Sequence, residues 1–123
     1  MTKDNLLSFV VDQLSGLGDI DTRRMFGGWH ISHRGGFFGI VFKERLYFKT
    51  SENTRARYEA EGMGPFRPRS KVTLKTLWEV PVDIIEDADA LAEWALEAIA
   101  AQQEATLIKE NARARRGRKK LDS

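Results

Sequence analysis

The chain has 123 residues, of which 41% are hydrophobic and 31% charged, the size and composition of one globular domain. It contains no cysteine, which excludes disulfides, thiolate metal sites and cysteine nucleophiles. Residues 109–123 carry seven basic and two acidic side chains, whereas residues 1–108 carry 13 basic and 16 acidic ones. The net charge of +2 therefore conceals a basic C-terminal end on an acidic body.

The distribution of apolar residues predicts a soluble, cytoplasmic protein without membrane association. No apolar run approaches the roughly 20 residues that cross a bilayer, and residues 1–7 are polar rather than basic and then apolar, as an export signal would be. We expect one folded domain over residues 1–108 and a basic, partly disordered extension over residues 109–123.

The first predicted element is a helix over residues 5–14, in which apolar side chains recur at the spacing of one helical face. Gly16 and Gly18 are expected to end it, because glycine is favoured just past a helix C-terminus. A polar connection over residues 19–22 then leads into extended chain.

Residues 25–50 predict a β-meander of three strands. The first, over residues 25–32, contains Gly27 and Gly28, and a glycine pair within a strand marks a bulge or the close approach of another backbone or ligand. Turns over residues 33–36 and 43–45 lead into strands over residues 37–42 and 46–50. Strict alternation in the second strand puts one apolar set on one face (Phe38, Ile40, Phe42) and another on the opposite face (Phe37, Gly39, Val41).

The remaining elements are two helices and a strand. Ser51 is a suitable N-cap for a charged helix that ends at Gly62. Residues 62–69 contain two glycines and two prolines, which predict an irregular loop, and residues 72–80 predict a fourth strand. The last helix repeats apolar residues at helical spacing: Leu91, Trp94, Ala95, Ala98 and Ile99. The prediction is an α+β fold whose antiparallel sheet has four to five strands and flanking helices, in the order helix, β-meander, helix, strand, helix.

The residue types do not form a recognisable catalytic or metal-binding set. His30 and His33 are the only histidines, and residues three apart in a strand point to opposite faces, so they are not expected to share a metal. No serine lies in a nucleophile elbow, and no glycine-rich phosphate loop precedes a helix. We therefore predict a protein that is not an enzyme and that has no cofactor and no metal.

The segment over residues 23–28 is a candidate contact for a partner or ligand: Arg23, Arg24, Met25, Phe26, Gly27 and Gly28. Its arginine pair has two interpretations. The pair is either a solvated entry to the sheet or an anion site that holds a phosphate or carboxylate through guanidinium hydrogen bonds.

The basic end also has two interpretations. Its seven cationic residues could neutralise phosphates without reading any base: Lys109, Arg113, Arg115, Arg116, Arg118, Lys119 and Lys120. Continued helix would align Lys109, Arg113, Arg116 and Lys120 in one stripe. Gly117 argues against a helix that persists to the very end. The alternative is a disordered end that keeps the protein in solution.

Several motifs along the chain match one family in order: residues 23–28, 36–39, 46–50, 65–66 and 78–81, followed by the helix with Leu91 and Trp94. Over residues 4–105 the chain closely resembles the N-terminal domain of the TfoX/Sxy competence regulators. The resemblance implies a small α+β domain with Phe48 and Trp94 in its core and without established catalytic residues. It also implies a role in competence-gene transcription beside the cyclic-AMP receptor protein.

Full-length members of that family carry a second, helical domain, whereas this chain has only the basic end after residue 108. We therefore expect a stand-alone N-terminal-domain protein of bacterial origin. Our first hypothesis is a non-catalytic regulatory or adaptor module that contacts a protein partner in transcription regulation, and a homodimer is compatible with it. The alternatives are a weak, sequence-independent nucleic-acid binder acting through the basic end, and a binder of small anionic ligands, or an enzyme, around Arg23 and Arg24.

Overall fold

The structure is a computed structural model that describes residues 3–25 and 27–121, with side chains described over residues 5–25 and 27–116. Its helical elements are α1 (Lys3–Gln13), a 3-10 turn (Ser15–Leu17), α2 (Glu52–Ala60), α3 (Val82–Ile85) and α4 (Ala88–Leu121). The predicted cap of α2 is confirmed, because the Ser51 hydroxyl accepts a hydrogen bond from the Thr54 amide at 3.3 Å and the Thr54 hydroxyl accepts one from the Ser51 amide at 2.9 Å.

The described strands form one antiparallel sheet: β1 (Ile20–Met25), β2 (Gly28–His33), β3 (Gly36–Phe42), β4 (Arg45–Lys49), β5 (Pro65–Arg69) and β6 (Val72–Glu79). Their order across the sheet is β1-β2-β3-β4-β6-β5. The α+β class is confirmed, but the sheet has six described strands where we predicted four to five. The additional strands are the two edges, β1 and β5, which our sequence analysis treated as a polar connection and as an irregular loop. Edge strands pair on one side only and therefore accept the polar residues and prolines that central strands exclude.

The glycine pair separates two strands rather than interrupting one. Gly27 has a positive φ of 81° and lies in the turn between β1 and β2, whereas Gly28 begins β2. A Cβ atom on Gly28 would lie 2.8 Å from the carbonyl oxygen of Val41, so the expected close approach of a backbone is present there. Glycine is thus required at these two positions for different reasons, dihedral angle and space.

One face of the sheet packs against the helices and forms the main core. It includes Phe38, Val41 and Phe48 from the strands and Leu91 and Trp94 from α4. The predicted core positions of Phe48 and Trp94 are confirmed, since both side chains are buried. The helices α1, α2 and α3 add Val10, Tyr58 and Ile85 to the same cluster, and Leu14 joins it just after the end of α1.

A β-bulge in β3 corrects the predicted assignment of its faces. Ile31 pairs with Gly39 but Ser32 pairs with Phe37, so Phe38 is an extra residue in β3. An extra residue reverses the alternation on one side of it. Phe38 therefore packs in the main core with Val41, whereas Phe37, Ile40 and Phe42 share the opposite face.

Helix α4 is about 50 Å long at the usual rise per residue, and it passes residue 108 without a break. It also continues through Gly117, a residue that in the sequence argues against helix up to the very end of the chain. Ala101 is the last buried residue among the side chains of α4 that the structure describes, and those over residues 102–116 lie beyond the core. The predicted partial disorder of residues 109–123 stays a prediction about the protein in solution. Within the described ranges, no helix has an apolar stretch sufficient to cross a membrane.

Candidate functional site

The face of the sheet opposite the main core carries a second apolar cluster, and we call it the helix-free face because no described helix contributes to that cluster. Among the described residues it is built from strands alone, with Ile40, Tyr47, Phe66 and Leu77 buried at its centre. Above it lies a depression of about 500 Å³, which we call the groove, lined by His30, Phe37, Ile40, Phe42, Phe66, Pro68, Arg69, Val72, Leu74 and Leu77. A volume of this size is typical of a binding site. Apolar side chains make up most of this lining.

Aromatic side chains pack against one another in the floor of the groove. The ring of Phe66 lies 4.5 Å from that of Tyr47 and 5.2 Å from that of Phe42, and the rings of His30 and Phe37 lie 4.5 Å apart, centroid to centroid. These contacts shield much of the aromatic surface. The most accessible apolar side chains of the groove are aliphatic, with Val72 41% and Leu74 40% exposed.

Cationic side chains surround this apolar floor. Arg69 lines the groove, and Lys43 places its Nζ atom 5.4 Å from the ring centroid of Phe42. Arg23 pairs with His30 across β1 and β2, and directly opposed residues share a face, so Arg23 lies on the groove side. None of these three cations forms an ion pair with a described residue. Of the neighbouring carboxylates, Glu79 is already bound by Arg45, at 3.0 Å.

Burial changes the titration of several groups on this face. It lowers the pKa of His30 and raises the pKa of Tyr47, because it penalises the charged form of each side chain. Burial also lowers the pKa of Lys49, and the positive charge of Lys109 on α4 adds to that effect. Burial thus favours the neutral forms of His30 and Tyr47, whereas the cations Arg23, Lys43 and Arg69 lie at the rim.

The sequence-predicted segment over residues 23–28 divides between the two faces. Arg24 packs on the helix side, with its guanidinium 6.0 Å from the ring centroid of Trp29, whereas Arg23 lies on the groove side. Consecutive strand residues point in opposite directions, so the two guanidinium groups do not converge on one anion. Met25 pairs with Gly28 at the end of the β1-β2 hairpin, and Phe26 lies outside the described residues.

The predicted basic residues lie on the part of α4 that extends beyond the core. Lys109, Arg113, Arg115 and Arg116 are exposed, and they form no ion pair with a described residue. Intervals of four and three place Lys109, Arg113 and Arg116 on one helix face. The side chains of Arg118, Lys119 and Lys120 lie outside the described part of the protein.

Metal ligands do not cluster in the described part of the chain, where no three histidine or carboxylate side chains come together. His30 and His33 do not converge, because His30 faces the groove beside Phe37 while His33 lies opposite Ile20 on the helix side. What the described residues offer in the groove is apolar contact and, at its rim, cationic charge.

Our sequence analysis did not identify the groove. The signal that pointed towards it was the apolar character of both faces of β3, because a strand with only one buried face normally alternates with polar residues. Phe66 belongs to a segment with two prolines that we predicted to be a loop, and Leu74 and Leu77 do not follow simple alternation. The residues therefore could not be assigned to one surface before the strands were paired.

Comparison with known proteins places the fold in a family. No curated protein matches the chain. The TfoX N-terminal domain, however, matches residues 12–102, which include every described strand and most of the packed part of α4. This match spans well over half of the 123 residues, and the chain belongs to the TfoX N-terminal domain family.

Proposed function

We propose that this protein is a non-catalytic regulatory or adaptor module that binds another protein through the groove, in the regulation of transcription. The observation that carries the proposal is the apolar cluster on the helix-free face, to which no described helix contributes. A contiguous apolar surface with a polar rim is typical of protein-interaction sites. The transcriptional setting is supported by membership of the TfoX N-terminal domain family.

The main core holds the sheet and the helices together, which leaves the apolar residues of the groove available to bind a partner. The main core already joins the sheet to the helices through residues from every described helix. Among the described residues, the second cluster is formed by strands alone, and the side chains of Val72 and Leu74 beside it are exposed to water in the free protein. Covering Val72 and Leu74 would remove apolar surface from water, which favours association.

The experiment uses a photo-crosslinking amino acid placed at Leu74 in cells that express the protein. Leu96 is the control position, because it is a leucine of similar exposure on the outer side of α4, 54% against 40% exposed. We expect a protein partner to crosslink from position 74 and not from position 96.

The purified partner is then titrated with two double variants. Val72→Ser/Leu74→Gln should weaken binding by about 10- to 100-fold, the effect of losing two buried aliphatic contacts. Val82→Ser/Leu96→Gln removes the same residue types from exposed helix positions and should bind like the parent. Equal binding by both double variants would refute the assignment of the partner to the groove.

A second candidate function is sequence-independent binding of nucleic acid by α4. The observation that favours it is the continuous helix, which holds Lys109, Arg113 and Arg116 on one exposed face beyond the core. Cations in such an array can contact consecutive phosphates and release counterions.

Its test is the salt dependence of binding to duplex DNA. Arg113→Gln/Arg116→Gln should flatten the logarithmic slope by about 0.9 for each lost phosphate contact. Arg67→Gln/Lys71→Gln removes the same charge from β5 and the turn after it and should retain the parental slope. A slope that is the same in all three proteins would eliminate α4 as the binding element.

A further inference from the structure

We infer that the segment bound in the groove is an acidic amphipathic helix of the partner, with apolar side chains on one face and carboxylates along both flanks. The inference rests on the proposed function, since it specifies the chemistry of the same partner. It follows from two observations: the cations around the groove form no ion pair with a described residue, and the apolar surface exposed between them is aliphatic.

The charges come from separate elements and surround the floor. Arg23 on β1 lies at one side, Arg69 on β5 lies at the other, and Lys43 lies in the turn that follows Phe42. All three side chains are exposed and form no ion pair with a described residue. Asp21 is the one carboxylate that the strand register places on the same face of β1, opposite Ser32. Cations therefore predominate at the rim, and a complementary ligand is anionic on both flanks.

The floor favours aliphatic side chains over nucleic-acid bases. Proteins that stack bases on a sheet present aromatic rings with free faces. Here Phe66 is buried against Tyr47 and Phe42, and Phe37 packs against His30. Val72 and Leu74 are the accessible contacts, and branched aliphatic side chains of a peptide match them better than planar bases do.

An amphipathic helix supplies both the aliphatic contacts and the flanking negative charges within one segment. Residues at intervals of three and four form an apolar stripe, and the neighbouring positions project to either side of it. With the stripe on the floor, one flank of the helix faces the side of the groove that carries Arg23 and the other faces the side that carries Arg69. The chain's own basic C-terminal end has the wrong charge for this role, with seven cationic residues over residues 109–123.

The test measures binding of three labelled synthetic helices that share a leucine face and differ on their flanks, which carry glutamate, glutamine or lysine. The glutamate helix should bind the full-length protein about tenfold more tightly than the glutamine helix at low salt, because several exposed ion pairs each contribute a small amount. The lysine helix should bind least, and added salt should reduce the differences.

Charge-reversal variants test the named cations. Arg23→Glu/Lys43→Glu/Arg69→Glu should reverse the order so that the lysine helix binds best. The control, Arg113→Glu/Arg115→Glu/Arg116→Glu, changes the net charge equally on α4 and should keep the parental order.

The outcomes separate this inference from the function on which it rests. Equal binding of the glutamate and glutamine helices, weakened alike by Leu74→Gln, would overturn the acidic flank and leave the groove as a protein-binding site. A single-stranded oligonucleotide that binds the parent and is lost with Leu74→Gln would overturn the inference in favour of nucleic acid. If none of the three helices binds, the inference of an acidic helical ligand is also overturned. The proposed function, protein binding through the groove, is then tested separately by the crosslinking experiment at position 74.

Discussion

The ring of Phe66 packs edge-on against the ring of Phe42, with 5.2 Å between centroids, although β4 and β6 lie between their strands in the sheet. In a flat sheet, strands three positions apart are separated by about 14 Å. The contact therefore spans two intervening strands, and the pairing of β5 with β6 shifts register on both sides of Phe66. Both rings line the groove, so the contact joins β3 to β5 across its floor.

Removing the Phe66 ring should destabilise the protein and open the groove. Phe66→Ala should lower the free energy of unfolding by about 3–5 kcal/mol, the usual cost of deleting a buried phenylalanine ring. Urea denaturation measures the change. Phe9→Ala is the matched control, because Phe9 is 44% exposed, and it should cost less than about 1 kcal/mol. Equal losses in the two variants would contradict the packing of Phe66 described above.

Gly28 should not tolerate a methyl group. Alanine at this position would place its Cβ atom 2.8 Å from the Val41 carbonyl oxygen and 3.1 Å from the Phe42 ring, so Gly28→Ala should cost about 1–3 kcal/mol through overpacking. Thermal and urea denaturation provide the measurement. Gly64→Ala introduces the same group where nothing lies within 4 Å and should leave the stability within about 1 kcal/mol of the parent. An unaltered Gly28→Ala protein would show that β2 and β3 can separate freely.

The burial of His30 should make stability depend on pH. Burial lowers the pKa of His30 below its ordinary value of 6.5, so the unfolded chain takes up a proton more readily than the folded one. This contribution to stability is fully present above pH 6.5 and is lost as the pH falls through the lowered pKa of the folded state. Urea midpoints across this range should therefore decline less in His30→Gln than in the parent.

His33→Gln controls for the removal of an imidazole, since His33 is the only other histidine. The carboxylates are the same in all three proteins, so differences between their pH profiles isolate the histidines. A parallel decline in His30→Gln and the parent would remove His30 as a cause of the pH dependence.

Arg57 should stabilise the contact between α2 and α4 by its shape as well as its charge. Its guanidinium lies 4.6 Å from the ring centroid of Trp94 and pairs with Glu93 and Glu97. Arg57→Lys keeps the charge but loses the planar stacking and should cost about 1 kcal/mol in urea denaturation. Arg24→Lys is the control at the other arginine–tryptophan contact, where the distance is 6.0 Å and no described carboxylate pairs with Arg24.

Arg24→Lys should change the free energy of unfolding by less than about 0.5 kcal/mol, as most substitutions of exposed residues do. A loss at Arg24 as large as the loss at Arg57 would mean that proximity to tryptophan alone sets the effect. An Arg57→Lys protein as stable as the parent would assign the contribution to charge only.

The sequence determined the features that depend on neighbouring residues. The N-cap at Ser51, the apolar face of α4 and the turn over residues 33–36 were predictable because caps, helical periodicity and turn dihedrals depend on a few consecutive side chains. The family was recognisable for the same reason, since its motifs are short runs in a particular order.

Tertiary structure alone decided which strands pair, where the register shifts and which side chains share a surface. The bulge at Phe38 is defined only relative to β2, and β1 and β5 become strands only because neighbours supply their hydrogen bonds. The groove needs all of these pairings together with the contact between the rings of Phe66 and Phe42. A surface assembled from four strands through long-range pairing has no local pattern in the sequence, because its residues become neighbours only after the sheet has formed.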